Sequence, residues 1–264
     1  MVHVGLDMHK RYSELAVLNE AGELLERCTL HHDDPATLAE YFGRLGDGTV
    51  TMEATQGWYW LADLIESEGL AVKMAHPAKV RLIADARVKT DKIDAWVLAH
   101  LERLGFLPES YIPPQEVRDR RELLRYRLGL VSLNTVMKNR VHALLAKLGI
   151  IPRQTDLFGK SGREFLAGLE LREVYRRVLD GWLTMIDFLA AEVKRVTGEL
   201  KASLAEDPRA ELLMSVPGVG VLTAYLLLAE IGDIGRFSSA KKLCAYAGLV
   251  PRTYASGGKS WQGG

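Results

Sequence analysis

From Gln115 to Leu148 the chain has no proline, and only Gly129 interrupts a helical pattern. Leu123, Leu124, Leu128, Val131, Thr135, Val141, Leu144, Leu145 and Leu148 recur at the spacing of a helix face. This predicts a helix of roughly 30 residues, longer than most globular helices. Gly149 and Pro152 stop it. Residues 163–205 read as a second helical region with few glycines. Two such helices are expected to pair antiparallel as a coiled-coil arm over 115–205.

The stretch from Leu107 to Pro114 holds three prolines and marks a boundary, so residues 1–107 read as a domain. Val2–Met8 is a short apolar run containing Asp7 and reads as a buried strand. Residues 13–18 and 23–30 are further strands, joined through Asn19-Glu20-Ala21-Gly22 as a hairpin. Asp34 caps a helix that opens with Pro35. Residues 49–54 form a strand carrying Glu53, 58–68 a helix stopped by Gly69, and 71–75 a strand broken at Pro77. Helices follow at about 78–86 and 91–105. The order βββαβαβα implies a mixed sheet with helices on its faces. It is also the element order of an RNase H-like nuclease core.

Residues 208–264 read as a third, mostly α segment. Helical runs at 209–215 and 221–231 flank Val216-Pro217-Gly218-Val219-Gly220, which resembles a helix-hairpin-helix turn. Backbone N–H groups at Gly218 and Gly220 would hold phosphate there without reading sequence. A helix covers about 238–247, and Pro251–Gly264 is a Gly/Ser-rich tail, in which a flexible linker is the plain expectation.

Charge divides the chain. Its 264 residues are neutral overall, yet 1–113 hold 11 basic and 18 acidic residues, a net −7, and 114–264 a net +7. An acidic half suits metal cations, a basic half phosphates. The long helix carries Arg118, Arg120, Arg121, Arg125, Arg127, Lys138, Arg140 and Lys147 against Glu116, Asp119 and Glu122. That surplus suits a nucleic-acid backbone, although a solvated helix face would show it too. Trp58, Tyr59 and Trp60 read as packing residues. Two cysteines, Cys28 and Cys244, build no disulfide framework. No apolar run long enough to cross a membrane exists, and no secretory leader is seen. A cytoplasmic setting is expected.

Asp7, Glu53, Asp91 and Asp94 are the candidate metal ligands. Asp7 and Glu53 sit near the carboxyl ends of strands, where open sheets form their sites. Asp91 and Asp94 are three apart at a helix start and share a face. Hard carboxylate oxygens of this kind hold Mg²⁺ (or Mn²⁺) with water and substrate phosphate. Helix capping by Thr90 or Asp91, and a solvated Asp94, are the alternatives. Tyr254-Ala255-Ser256-Gly257-Gly258-Lys259 places a hydroxyl between two cations, Arg252 and Lys259, with glycines that admit a close phosphate. No histidine lies nearby in sequence to take the serine proton.

Gly5-Leu6-Asp7-Met8-His9-Lys10, Met52-Glu53-Ala54-Thr55 and Lys89-Thr90-Asp91-Lys92-Ile93-Asp94-Ala95 resemble the Asp-Glu-Asp-Asp signature of the DEDD transposases of the insertion-sequence one-hundred-ten family. So do the Val216–Gly220 turn, residues 237–252 and Ser256-Gly257-Gly258-Lys259. The resemblance spans nearly the whole chain. It implies a RuvC-like domain of RNase H fold, a coiled-coil linker and a helical transposase domain. It implies Mg²⁺ on Asp7, Glu53, Asp91 and Asp94, and attack of Ser256 on a DNA phosphate to give a phosphoserine link. It further implies donor and target DNA as substrates, a structured guide RNA, and a homodimer assembling to a tetramer. The setting would be the nucleoid of a prokaryotic cytoplasm. Relatives usually run several dozen residues past the serine stretch, so a truncated transposase domain is expected. Ala255 stands where many relatives carry another serine, with Ser260 the fallback nucleophile. A metal-dependent junction nuclease using water, and a nucleic-acid-binding remnant, are the competing readings.

Overall fold

The computed structural model describes residues 1–83, 90–205 and 207–263, without the side chains of 252–256, 262 and 263. Contacts divide it into Met1–Ile112 and Pro113–Gly264.

In the first unit, strands β1 (Val2–Met8), β2 (Tyr12–Leu18), β3 (Leu24–His31), β4 (Gly48–Glu53), β5 (Ala71–Ala75) and β6 (Glu109–Ser110) form one sheet in the order β3-β2-β1-β4-β5-β6. β1, β4 and β5 run parallel, while β2, β3 and β6 are antiparallel to their neighbours. This mixed α/β sheet is the one the element order predicts. The boundary expected at 107 moves: β6 pairs with Met74–Ala75, and Lys73 reaches Glu109 at 3.3 Å, so the unit ends at Ile112.

Side-chain alternation sorts the sheet's two faces. Val4, Leu6 and Met8 of β1 join Val50 and Met52 of β4 in one core. Helices α1 (Pro35–Leu45) and α2 (Tyr59–Ser67) close it with Leu38, Phe42, Leu61 and Ile65. Asp34 caps α1, accepting from the Ala36 and Thr37 amides, with Pro35 in the first turn as expected. A short helix α3 (Pro77–Ile83) follows β5, and residues 84–86 of the helix expected there lie outside the described residues. The alternate residues His3, Gly5 and Asp7 face helix α4 (Asp91–Arg103). A methyl carbon on Gly5 would stand 1.7 Å from the Ala95 carbonyl oxygen, so strand and helix meet backbone to backbone. At the far end of this contact, His3 is hydrogen-bonded to Glu102, whose other oxygen takes Lys73 at 3.1 Å.

The second unit is built on α5 (Gln115–Lys147) and α7 (Glu173–Leu204), of 33 and 32 residues. Each is about 50 Å long at ~1.5 Å per residue. Leu124 and Leu130, early in α5, share a cluster with Val196, Leu200 and Leu204, late in α7. Val141 and Leu145, late in α5, share another with Leu179 and Ile186, early in α7. The two helices therefore run antiparallel. The second helical region is not continuous from 163: α6 (Lys160–Ala167) ends at Gly168, and α7 starts five residues later. Gly162 lets α6 press on the Leu157 carbonyl, and Leu166 seals the second cluster.

Helices α8 (Pro208–Met214), α9 (Val221–Ile231) and α10 (Ala240–Tyr246) follow. Ala210, Ala224, Tyr225 and Leu228 extend the first α5–α7 cluster, so α8 and α9 share a core with the two long helices. The tail is not an open linker. Arg252–Ser256 (β7) and Lys259–Gly263 (β8) pair antiparallel. Gly257 and Gly258 connect them with φ of 57° and 77°, the positive values a two-residue hairpin turn requires.

Candidate metal centre and nucleic-acid interface

The parallel register pairs Leu6 with Met52, and one step further stand Asp7 and Glu53. Both belong to the strand residues that face α4 rather than the α1–α2 core. Helix α4 brings Asp91 and Asp94 in its first turn. Thr90 is the cap, accepting from the Ile93 amide at 3.3 Å, so Asp91 is not spent on capping. The helix N-terminus also favours negative charge in this turn.

The four carboxylates interact. Burial pushes the Asp7 carboxyl above the ordinary aspartate range, and Asp91, Asp94 and Glu53 raise it further, while His9 opposes them. Like charges gathered in a half-buried place favour either a proton or a cation. Asp7, His9 and Asp91 each offer one ligand atom, all within 4.8 Å of one another. Donors around Mg²⁺ at ~2.1 Å span about 4 Å across the shell, so this donor set fits a divalent cation after a small adjustment.

His9 is a residue that the sequence reading does not single out. Its Nε2 lies 3.0 Å from Asp91 Oδ2 and 3.3 Å from Asp7 Oδ2. That nitrogen is shielded from solvent and satisfies no hydrogen bond. A ring nitrogen between two carboxylates serves either as their ion-pair partner or as a third donor to a cation. The available signal is spacing: His9 lies two residues after Asp7, the period of a strand face. Tyr12 completes the wall, donating to Asp91 Oδ2 at 3.4 Å with its ring 4.7 Å from His9.

The basic helix is less available than its composition suggests. Arg118 and Arg121 are buried, which corrects their reading as phosphate contacts. Arg121 donates to the Ala229 and Glu230 carbonyls at 2.7 and 2.9 Å, capping the end of α9. Arg236, unforeseen, donates to the Ile231 carbonyl at 2.9 Å and lies over the Phe237 and Tyr246 rings. Arg120 pairs with Asp207 at 3.2 Å, and Arg125 stands 3.5 Å from Glu230. Lys138 sits over the Phe158 ring, and Arg140 is exposed. Gly218, with φ of 88°, makes the turn between α8 and α9, and Gly220 precedes α9 with no side-chain cap. Lys259 is exposed at the hairpin turn, and Ser256 is the last residue of β7. The side chains of Arg252 and Ser256, and Lys89 of the third acidic motif, lie outside the described residues.

Comparison with known proteins decides the family. The DEDD transposase profile of IS110 type matches residues 4–150, more than half of the chain. The chain belongs to the IS110 family of transposases. A second transposase profile, that of the IS116/IS110/IS902 family, matches residues 210–264. The transposase of insertion sequence element IS1328 from Yersinia enterocolitica is 28% identical over 97% of this chain and 76% of its own length. That of IS1111A from Coxiella burnetii is 28% identical over 97% and 70%. The pilin gene-inverting protein of Moraxella bovis is 29% identical over 78% and 57%. As an IS110-family transposase the chain acts on DNA in transposition or recombination. Among the described residues no helix is long and apolar enough to cross a membrane.

Proposed function

We propose that this transposase cleaves and rejoins DNA at a divalent-cation centre held by Asp7, Glu53, Asp91 and Asp94, with His9 beside them and Ser256 as nucleophile. The observation carrying it is the meeting of Asp7 and Glu53 on one sheet face with Asp91 and Asp94 in the first turn of α4, where donor atoms of Asp7, His9 and Asp91 lie within 4.8 Å of one another. Mg²⁺ or Mn²⁺ bound there would offset the charge that develops on the phosphate oxygens. The chain's own residues do the rest. Asp7 and Glu53 are fixed by strands, Asp91 by the first turn of α4. Ser256 Oγ forms a bond to phosphorus as the bond from phosphorus to a deoxyribose oxygen breaks. The hydroxyl proton leaves the serine, and the departing oxygen takes up a proton. One phosphate ester replaces another, so the bond remains usable for joining to a second strand.

On this reading the first unit is a RuvC-like domain of RNase H fold. Helices α5 and α7 form a coiled-coil arm, and the residues from Pro208 onward form the transposase domain. The Val216–Gly220 turn, Arg125, Lys138, Arg140, Arg252 and Lys259 would face phosphates, whereas Arg120 is held by Asp207. A structured RNA selects donor and target DNA, and a homodimer assembling to a tetramer supplies acids and serine together in the prokaryotic cytoplasm. A second reading, a junction nuclease using water, draws on the fact that the acids, His9 and Tyr12 all lie within Met1–Ile112.

The test incubates the protein with Mg²⁺, the RNA flanking its gene and labelled DNA, followed by a denaturing gel. Wild type should give a slow, protease-sensitive DNA–protein band that Ser256→Ala and Asp7→Asn both lose. Free cleaved DNA from wild type and Ser256→Ala alike would replace the serine step by water. RNA binding without cleavage in any variant would leave only the nucleic-acid-binding remnant.

A further inference from the structure

Beside the acidic site lies a cavity of about 350 Å³ lined by Lys10, Arg11, His31, His32 and Asp33. It is formed where the β1–β2 turn meets the end of β3: the His32 amide donates to the Arg11 carbonyl, and Tyr12 pairs with His31. Among the described residues neither Lys10 nor Arg11 makes an ion pair, and both are exposed. They are the first cations met after the metal-binding strand. Asp33 is the cavity's one acid among these five residues, against one Lys and one Arg.

The rings are arranged as a path. His9 at the metal centre lies 4.7 Å from Tyr12, and Tyr12 lies 6.4 Å from His31 on the cavity wall. His32 is fixed by the Ser13 hydroxyl at 2.9 Å and meets the edge of Trp60 at 5.1 Å. Trp58 packs against the core as the sequence suggests, but Trp60 is exposed. Cations that track a backbone, interleaved with aromatic faces, are the composition of a strand-binding groove.

We infer that the Lys10–Arg11 cavity is a phosphate-binding subsite for the DNA strand whose neighbouring phosphate occupies the acidic centre. The acids repel a phosphodiester in the absence of cation, and two cations close by hold the same strand in place. This rests on the proposed DNA-cleaving centre and adds a residue-level account of how the strand is held there.

The test compares wild type with the double variant Lys10→Gln, Arg11→Gln. Both side chains are exposed, and neither belongs to the acidic centre. Fluorescence anisotropy of a labelled DNA duplex from the element end is followed across a salt series, with Mn²⁺ binding read separately by electron paramagnetic resonance. The variant should bind DNA roughly tenfold more weakly, with the salt slope shallower by about two, one for each cation removed from a phosphate. Its Mn²⁺ binding should equal wild type. Equal DNA affinity and slope in the two proteins would overturn the subsite while leaving the metal centre standing. Loss confined to an RNA probe would overturn it in favour of an RNA contact. A wild type that binds Mn²⁺ but no DNA would overturn the subsite together with the reading beneath it.

Discussion

Two aspartates show how differently the halves of this chain handle charge. Asp7 stands in the first unit among like charges, and burial with Asp91, Asp94 and Glu53 drives its carboxyl up. Asp207 stands in the second unit against Arg209, with help from the Arg209 amide and Arg120, and is pushed down to about 2. The first arrangement destabilises the fold unless something positive arrives. The second completes itself. Counting charges by half suggests an acidic site and a basic face. The structure leaves the acids clustered and turns much of the basic surplus inward, onto α9 carbonyls and acidic partners. A cluster of unlike charges is architecture, whereas a cluster of like charges calls for a ligand.

The comparison breaks most sharply at Gly5. Gly5→Ala puts a methyl group into the Ala95 carbonyl. A loss of about 3 kcal/mol or more is expected, since neither backbone can yield cheaply. Chemical denaturation should report it, and Mn²⁺ binding should weaken in whatever remains folded. Next comes Arg121→Ala, which strands the Ala229 carbonyl and leaves the Glu230 carbonyl to Tyr246 and Arg236. It should cost about 2–3 kcal/mol and leave the salt dependence of DNA binding unchanged. Arg140→Ala should do the reverse, sparing the melting temperature and weakening DNA binding. If Arg121→Ala flattened the salt slope at wild-type stability, the inward reading of that residue would fall.

The smallest effects, of about 1 kcal/mol, carry opposite signs. Asp207 has a depressed carboxyl, so its contribution is present above the ordinary aspartate range and is lost as pH falls toward 2. Asp207→Asn should therefore lower stability at pH 7, by an amount that fades on acidification. Its partner Arg209 is half exposed, which keeps the effect modest. Asp7 has a raised carboxyl, so its protonated form favours the fold at low pH and that advantage is lost as pH rises through its folded value. Asp7→Asn in chelator should raise stability at pH 7, and the gain should shrink as wild-type Asp7 becomes protonated. Denaturation curves at several pH values check both. Matching signs would dissolve the contrast.

Local rules make much of this legible. Asp34 and Pro35 announce α1, and Gly149 stops α5 after a helix whose bounds its apolar pattern marks. Asp7 and Glu53 are readable because acids near the ends of apolar strands are costly to leave unpaired. What escapes depends on tertiary partners. β6 is two residues between prolines and exists only because β5 offers an edge. The break before α7 hides behind leucines that keep recurring through Leu169 and Leu171. Arg118 and Arg121 look solvent-facing by type, yet they share the three-residue spacing of Leu124 and lie on its buried face. The Gly257–Gly258 turn is a standard hairpin signal, masked by the Gly/Ser-rich composition around it.

The bare contact between Gly5 and α4 has a consequence for how this protein can vary. No side chain stands between β1 and the helix there, so main chain meets main chain, and Asp7 and Asp91 inherit their separation from that touch. The core that Leu6 and Met52 help to fill lies on the sheet's opposite face. Substitutions in that core can accumulate, exchanging one packing for another, without changing the gauge by which the acids are spaced. The chain is free to drift on one side of its sheet because it is locked on the other.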